Sequence, residues 1–223
     1  MGSRFRGART RAAAEGGFTL VEMLIAMLLL VIIITSLTSV LISASHTELD
    51  ANRRFQAQLK DRTGLDKLRR EIHCASAVTQ TSGTALAAGT LYSAITVKLA
   101  STCPTSGGAT AYATWISCPS TLVTGDYALY RATSATLPGA TCSTTGMVKW
   151  IDYLQPTTLS PSTSTPFCLP GTTAAQACSG VVTPTSSLPL LHVTLPVNLN
   201  GPSSTKDGYN LVDDIVLRNG VRS

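Results

Sequence analysis

No proline interrupts the chain before Pro104, no cysteine precedes Cys74, and no Asn-x-Ser/Thr sequon occurs anywhere. The first absence leaves a long amino-terminal helix unbroken, the second keeps disulfides out of that third of the chain, and the third excludes N-glycosylation at that motif. Catalytic signatures are missing as well. The histidines His46, His73 and His192 are scattered, and Gly-x-Ser-x-Gly, His-Glu-x-x-His and a phosphate-cradling glycine loop are all absent. The sequence therefore reads as that of a non-enzyme. Charged residues make up only 13% of the 223 while 44% are apolar, which excludes a wholly disordered chain.

The net charge of +5 is uneven. Arg4, Arg6, Arg9 and Arg11 face one acid, Glu15, in the first 17 residues, and beyond them 13 bases meet 11 acids. Bulk basicity thus gives no nucleic-acid footprint, and no nucleic-acid partner is expected. Charge and hydropathy divide the chain into a basic leader (1–17), an apolar segment (18–42), a charged stalk (43–74) and a head (75–223). The apolar segment, 25 residues long, makes a helix of about 37 Å, enough to span a hydrocarbon core of about 30 Å. A signal peptide cut near Ser43-Ala44-Ser45 is the alternative, but its apolar core is usually about 7 to 15 residues.

Glu22 stands inside this apolar run, where a charge costs about 2.5 to 3.5 kcal/mol on insertion scales and needs a partner. Its surroundings, Gly16-Gly17-Phe18-Thr19-Leu20-Val21-Glu22-Met23-Leu24, resemble the amino terminus of type IV prepilins and type II secretion pseudopilins. That resemblance implies cleavage between Gly17 and Phe18 by a prepilin peptidase on the cytoplasmic side and methylation of the new Phe18 amine. It also implies pairing of Glu22 with the terminal ammonium of a neighbouring subunit, and export of everything after Ile42. The expected location is the cytoplasmic membrane, single-pass, with an extracytoplasmic head incorporated into an envelope filament.

Past the membrane, Leu49, Phe55, Leu59, Leu65, Leu68 and Ile72 suggest an amphipathic continuation, so that one helix runs from about Thr19 to Cys74. Gly64 is its expected weak point. Seven bases from Arg53 to Arg70 alternate with Glu48, Asp50, Asp61, Asp66 and Glu71 and read as a solvated, salt-bridged face. Glu71, His73 and Cys74 read as part of that face and a disulfide partner, not as metal ligands.

Strands are expected at Leu91–Leu99, Tyr112–Ser117, Tyr127–Ala132, Met147–Leu154, Leu190–Leu199 and Tyr209–Leu217, with a hairpin turn at Thr124-Gly125-Asp126. Pro189 and Pro196 push the Leu190 segment towards a sheet edge. The fold class is α+β, a long transmembrane-plus-stalk helix packed on an antiparallel sheet. Residues 155–187 hold 21 Ser, Thr, Pro or Gly among 33 and read as a long loop. Cys168 and Cys178 bracket part of it and form the expected local disulfide, whereas Cys74, Cys103, Cys118 and Cys142 can pair in three ways.

The resemblance makes the chain a minor pilin or pseudopilin, J-type or PilW-like, whose partners are other pilin subunits, the peptidase and the membrane. Glu22 argues against the extreme tip subunit, which typically lacks that residue. A competence pseudopilin for DNA uptake and a stand-alone membrane-tethered adhesin are the alternatives. No cofactor is required. Asp207 and Asp213, amid Asn198, Asn200 and Asn210, form an oxygen-rich loop that suits calcium, although alternation puts Asp213 and Asp214 on opposite faces of one strand.

Overall fold

The computed structural model describes residues 19–107, 109, 111–120, 124–137, 139, 141–142, 146–156, 164–170, 178, 190–201 and 208–217. Its elements are one long helix, α1 (Leu20–Cys74), and nine strands. These are β1 (Ala75–Thr79), β2 (Leu91–Tyr92), β3 (Ala94–Leu99), β4 (Ala111–Pro119), β5 (Tyr127–Ser134), β6 (Met147–Leu154), β7 (Phe167–Cys168), β8 (Leu190–Asn198) and β9 (Gly208–Val216). The chain forms two compact units divided between Asn52 and Arg53.

In the first unit α1 is apolar and exposed along its length, and it is long and apolar enough to cross a membrane. The hydroxyls of Thr35, Thr38, Ser45 and Thr47 are satisfied within the helix. Thr35 donates to the carbonyl of Val31 at 2.9 Å and Thr38 to that of Ile34 at 2.8 Å, so neither carries an open donor into an apolar setting.

In the second unit the rest of α1 buries Ala57, Asp61, Gly64, Leu65, Leu68, Glu71 and Ile72. This stripe corrects the one expected from sequence, because Leu49, Phe55 and Leu59 are exposed. At about 100° per residue, Phe55 and Leu59 lie roughly 140° and 180° round the helix from Leu68. Two acids and a glycine take the places that apolar residues were expected to fill. Gly64 is accordingly a contact and not merely a weak point: a Cβ there would stand 2.6 Å from Cγ1 of Ile151 on β6. Its missing side chain lets the helix backbone approach the sheet.

The sheet is antiparallel and curled, in the order β1-β3-β4-β5-β6-β8-β7-β2, with β9 also on β8. Its curl is visible at Ser93, which splits the expected Leu91–Leu99 strand: β2 pairs with β7, whereas β3 pairs with β4. One kinked strand therefore serves both ends of the path. Ile95, Val97, Leu99, Trp115, Leu129, Ile151, Phe167, Leu191, Val193 and Leu195 join Leu65, Leu68 and Ile72 in one core. The turn Thr124-Gly125-Asp126 links β4 to β5, with Gly125 at φ 90° and Ser120 N–H donating to the Asp126 carbonyl at 2.8 Å.

β8 is not an edge strand. It pairs with β9 along one side and with β6 and β7 on the other. Pro196 is tolerated because its missing N–H falls beyond the end of β6: Gln155 N–H donates to the Pro196 carbonyl at 2.7 Å, and the reciprocal bond has no donor. β7 occupies two residues of the Ser/Thr/Pro-rich region, of which 157–163, 171–177 and 179–187 lie outside the described residues, as does Pro189.

Candidate functional site

Two regions carry chemistry, the first turn of α1 and the helix face that meets the sheet. Thr19 caps the helix, its carbonyl accepting from the N–H groups of Glu22 and Met23 at 3.0 and 3.2 Å and its Oγ1 from Glu22 N–H at 3.3 Å. The Thr19-x-x-Glu22 spacing is that of a capping box, a signal present in the sequence beside the charge argument. Glu22 thus sits in the first turn, where a carboxylate opposes the positive end of the helix dipole. Gly17 and Phe18, the expected processing pair, lie outside the described residues.

On the second region, Glu71 overturns the expectation of a solvated face. Its carboxylate is fully buried and accepts Trp115 Nε1–H at 2.9 Å and Arg131 Nε–H at 2.9 and 3.1 Å, with Arg131 Nη2 at 2.6 Å and Lys67 Nζ at 3.6 Å. Trp115 and Arg131 are directly opposed on β4 and β5, so the sheet register delivers both donors to one acid. Arg69 keeps the expected surface ladder, bridging Asp66 at 3.6 Å, and it also reaches Asp213 on β9 at 2.8 Å.

Asp61 is 2% exposed and accepts the Tyr209 hydroxyl. Burial pushes its pKa up from 3.8 to about 6, against the lowering effect of Tyr209, of the Asp152 amide and, weakly, of Lys60, while the Asp152 charge adds to the rise. Because the folded value exceeds the unfolded one, the protonated acid is favoured in the folded state. Its contribution to stability is full below about pH 4 and is lost as pH rises through about 6. The stability of the chain in detergent, read by urea unfolding, should therefore rise between pH 7 and pH 4.5 by about 2 kcal/mol, at up to 1.36 kcal/mol per unit. Asp61→Asn should flatten most of that slope; an unchanged slope would refute the assignment. Asp126, also raised chiefly by burial, supplies a remainder of the same sign.

His192 is buried, with Nδ1 2.7 Å from Asp214 Oδ1 and Nε2 2.8 Å from Thr194 Oγ1. The order hydroxyl, imidazole, carboxylate is that of a hydrolase triad. Yet Asp214 stands opposite His192 in the register of β8 and β9, and a cross-strand brace produces the same order without a substrate site. Of the two acids of the calcium expectation, Asp207 lies outside the described residues and Asp213 is held by Arg69, while its neighbour Asp214 turns to His192. Among the described residues no three His, Cys, Asp or Glu side chains gather as metal ligands.

All six cysteines are bridged, Cys74 to Cys103, Cys118 to Cys142 and Cys168 to Cys178. Such bonds persist in an oxidising compartment.

Residues 13–38 match the prokaryotic N-terminal methylation motif. The match covers the expected processing pair, Glu22 and the start of α1, and it supports a type IV pilin-like family with a prepilin peptidase and other pilins as associates. No curated protein and no solved structure matches the chain.

Proposed function

We propose that this chain is a minor, J-type or PilW-like subunit of a type IV pilus or type II secretion filament, cut between Gly17 and Phe18 and methylated on the new amine. The observation that carries this reading is the methylation motif at residues 13–38, set at the head of a helix able to cross a membrane. In the cut chain Thr19 still caps that helix, and Glu22 remains three residues further on to meet the Phe18 ammonium of a neighbour. Phe55 and Leu59, exposed on the side of α1 away from the sheet, offer apolar contact to a neighbouring helix in the filament. The role is structural, not catalytic.

Intact-mass analysis of protein from native membranes should give a chain starting at Phe18 with one methyl group. Gly17→Trp should leave the leader attached and keep the chain out of sheared filaments. Recovery of native protein starting near His46 would instead establish a secretory signal peptide and sink the assembly mechanism.

A further inference from the structure

Three turn-proximal segments meet at one end of the sheet. Tyr127, Leu154 and Val197 form a row across β5, β6 and β8, and just beyond it lie Asp126, Gln155 and Asn198. The side-chain amide nitrogen of Gln155 stands 3.0 Å from Asp126 Oδ1, 3.4 Å from the Asn198 carbonyl and 3.5 Å from the Tyr153 carbonyl. One neutral NH2 group, with two hydrogens to give, thus faces three oxygens, one of them a carboxylate's.

Two further observations come from other atoms. Asp126 is 1% exposed, and its second oxygen, Oδ2, is buried with no hydrogen-bond partner. A buried carboxylate left half-satisfied is costly and points to a missing counter-charge. Tyr153 is the one non-glycine residue with positive φ among the described residues, at 58°. An L residue with a bulky side chain adopts that conformation at a cost of order 1 to 3 kcal/mol, and such strain concentrates at ligand clamps. Here it belongs to the residue whose carbonyl joins the three oxygens.

Neighbouring charge favours a cation. Asp152 lies close enough to raise the pKa of both Asp61 and Asp126, and its own carboxylate is shared between Lys149 and the Ser120 hydroxyl. No cationic side chain is seen against Asp126 among the described residues.

We propose that Asp126, Gln155, Asn198 and Tyr153 form a site for a single calcium-like divalent cation that ties the three segments together. Asp126 supplies both carboxylate oxygens, Asn198 and Tyr153 their backbone carbonyls, and Gln155, rotated about its last side-chain bond, its amide oxygen. That gives five hard oxygens, with water completing the six to eight that calcium takes. The oxygens now stand at the spacing of an N–H donor, and the ion would draw them in to about 2.3 to 2.6 Å. With two backbone carbonyls and an amide among its ligands, the site needs only one acid. Asp213 is not part of it, being held by Arg69.

The test uses the full chain in detergent, freed of metal by chelator, with Tb3+ as the probe because it takes oxygen ligands like calcium and its emission is sensitised by a nearby tyrosine. Saturable emission, displaced by calcium, is expected from the wild type and from Asp213→Asn, and a loss of at least tenfold in affinity from Asp126→Asn. Calcium at 10 mM should raise the wild-type melting temperature by about 4 °C or more, since a ligand of the folded state stabilises it by mass action. Should Asp126→Asn fail to fold, Gln155→Glu decides. Added ligand charge should tighten calcium binding by about tenfold. No saturable emission from the wild type, persistence of binding in a folded Asp126→Asn chain, loss in Asp213→Asn, or unchanged affinity in Gln155→Glu would each overturn the site.

Discussion

Glu71→Ala is expected to destabilise the sheet-bearing unit by about 3 to 5 kcal/mol, the penalty for removing one member of a buried ion pair. The penalty resides in what remains. Arg131, 13% exposed at its side chain, keeps a full charge, and the fully buried Trp115 loses the acceptor of its indole N–H. Glu71→Gln restores an oxygen for Trp115 but no charge for Arg131, so its loss should be smaller yet still above 1 kcal/mol. The paired change Glu71→Leu with Arg131→Met should recover much of the loss, because a well-packed apolar pair of similar volume often equals a buried ion pair. Urea midpoints of the four chains in detergent read these differences. A Glu71→Ala chain within 1 kcal/mol of wild type would mean that water reaches the network and that the helix does not depend on it.

Removing the Cys74 to Cys103 bridge, by alanine at both positions, should cost about 3 to 4 kcal/mol. The bond spans 29 residues and so withdraws substantial loop-closure entropy from the unfolded chain. The bridge between Cys168 and Cys178 spans 10 and should be worth roughly 1 kcal/mol less by the same relation. The ordering is the sharper test, since a shared error in the scale cancels. Equal losses, or a larger one for the short bridge, would show that native-state packing and not chain entropy sets the values.

The helix and most strands were legible in the sequence because their signals are local. An apolar run without proline needs no partner to announce itself, and Ile95, Val97 and Leu99 declare a buried face by alternation alone. What was hidden depended on register. Nothing near Glu71 in the chain shows that Trp115 and Arg131 oppose each other 44 and 60 residues later. The spacing did hold a clue, since Asp61 and Glu71 recur with Leu65, Leu68 and Ile72 at three- and four-residue intervals and so lie on the buried stripe. Pro196 misled for the same reason: a proline marks a missing donor, but only the sheet shows that β6 stops where that donor would have been needed. The amino-terminal motif was the reverse case, readable from residues 13–38 alone and independent of how the head folds.

α1 passes into β1 without a loop, and its last residue, Cys74, is the one bridged to Cys103. Tension drawn along the helix towards the membrane would therefore reach a branch point. One route follows the backbone through residues 75–102, which hold β1, β2 and β3; the other crosses two sulfur atoms. The covalent shortcut is the taut one, so whatever pull the helix does not pass to the sheet through its own side chains would leave β1, β2 and β3 slack and continue along the chain from Cys103, ahead of β4. Strands that in a reduced chain would peel away one after another are thereby taken out of the line of force.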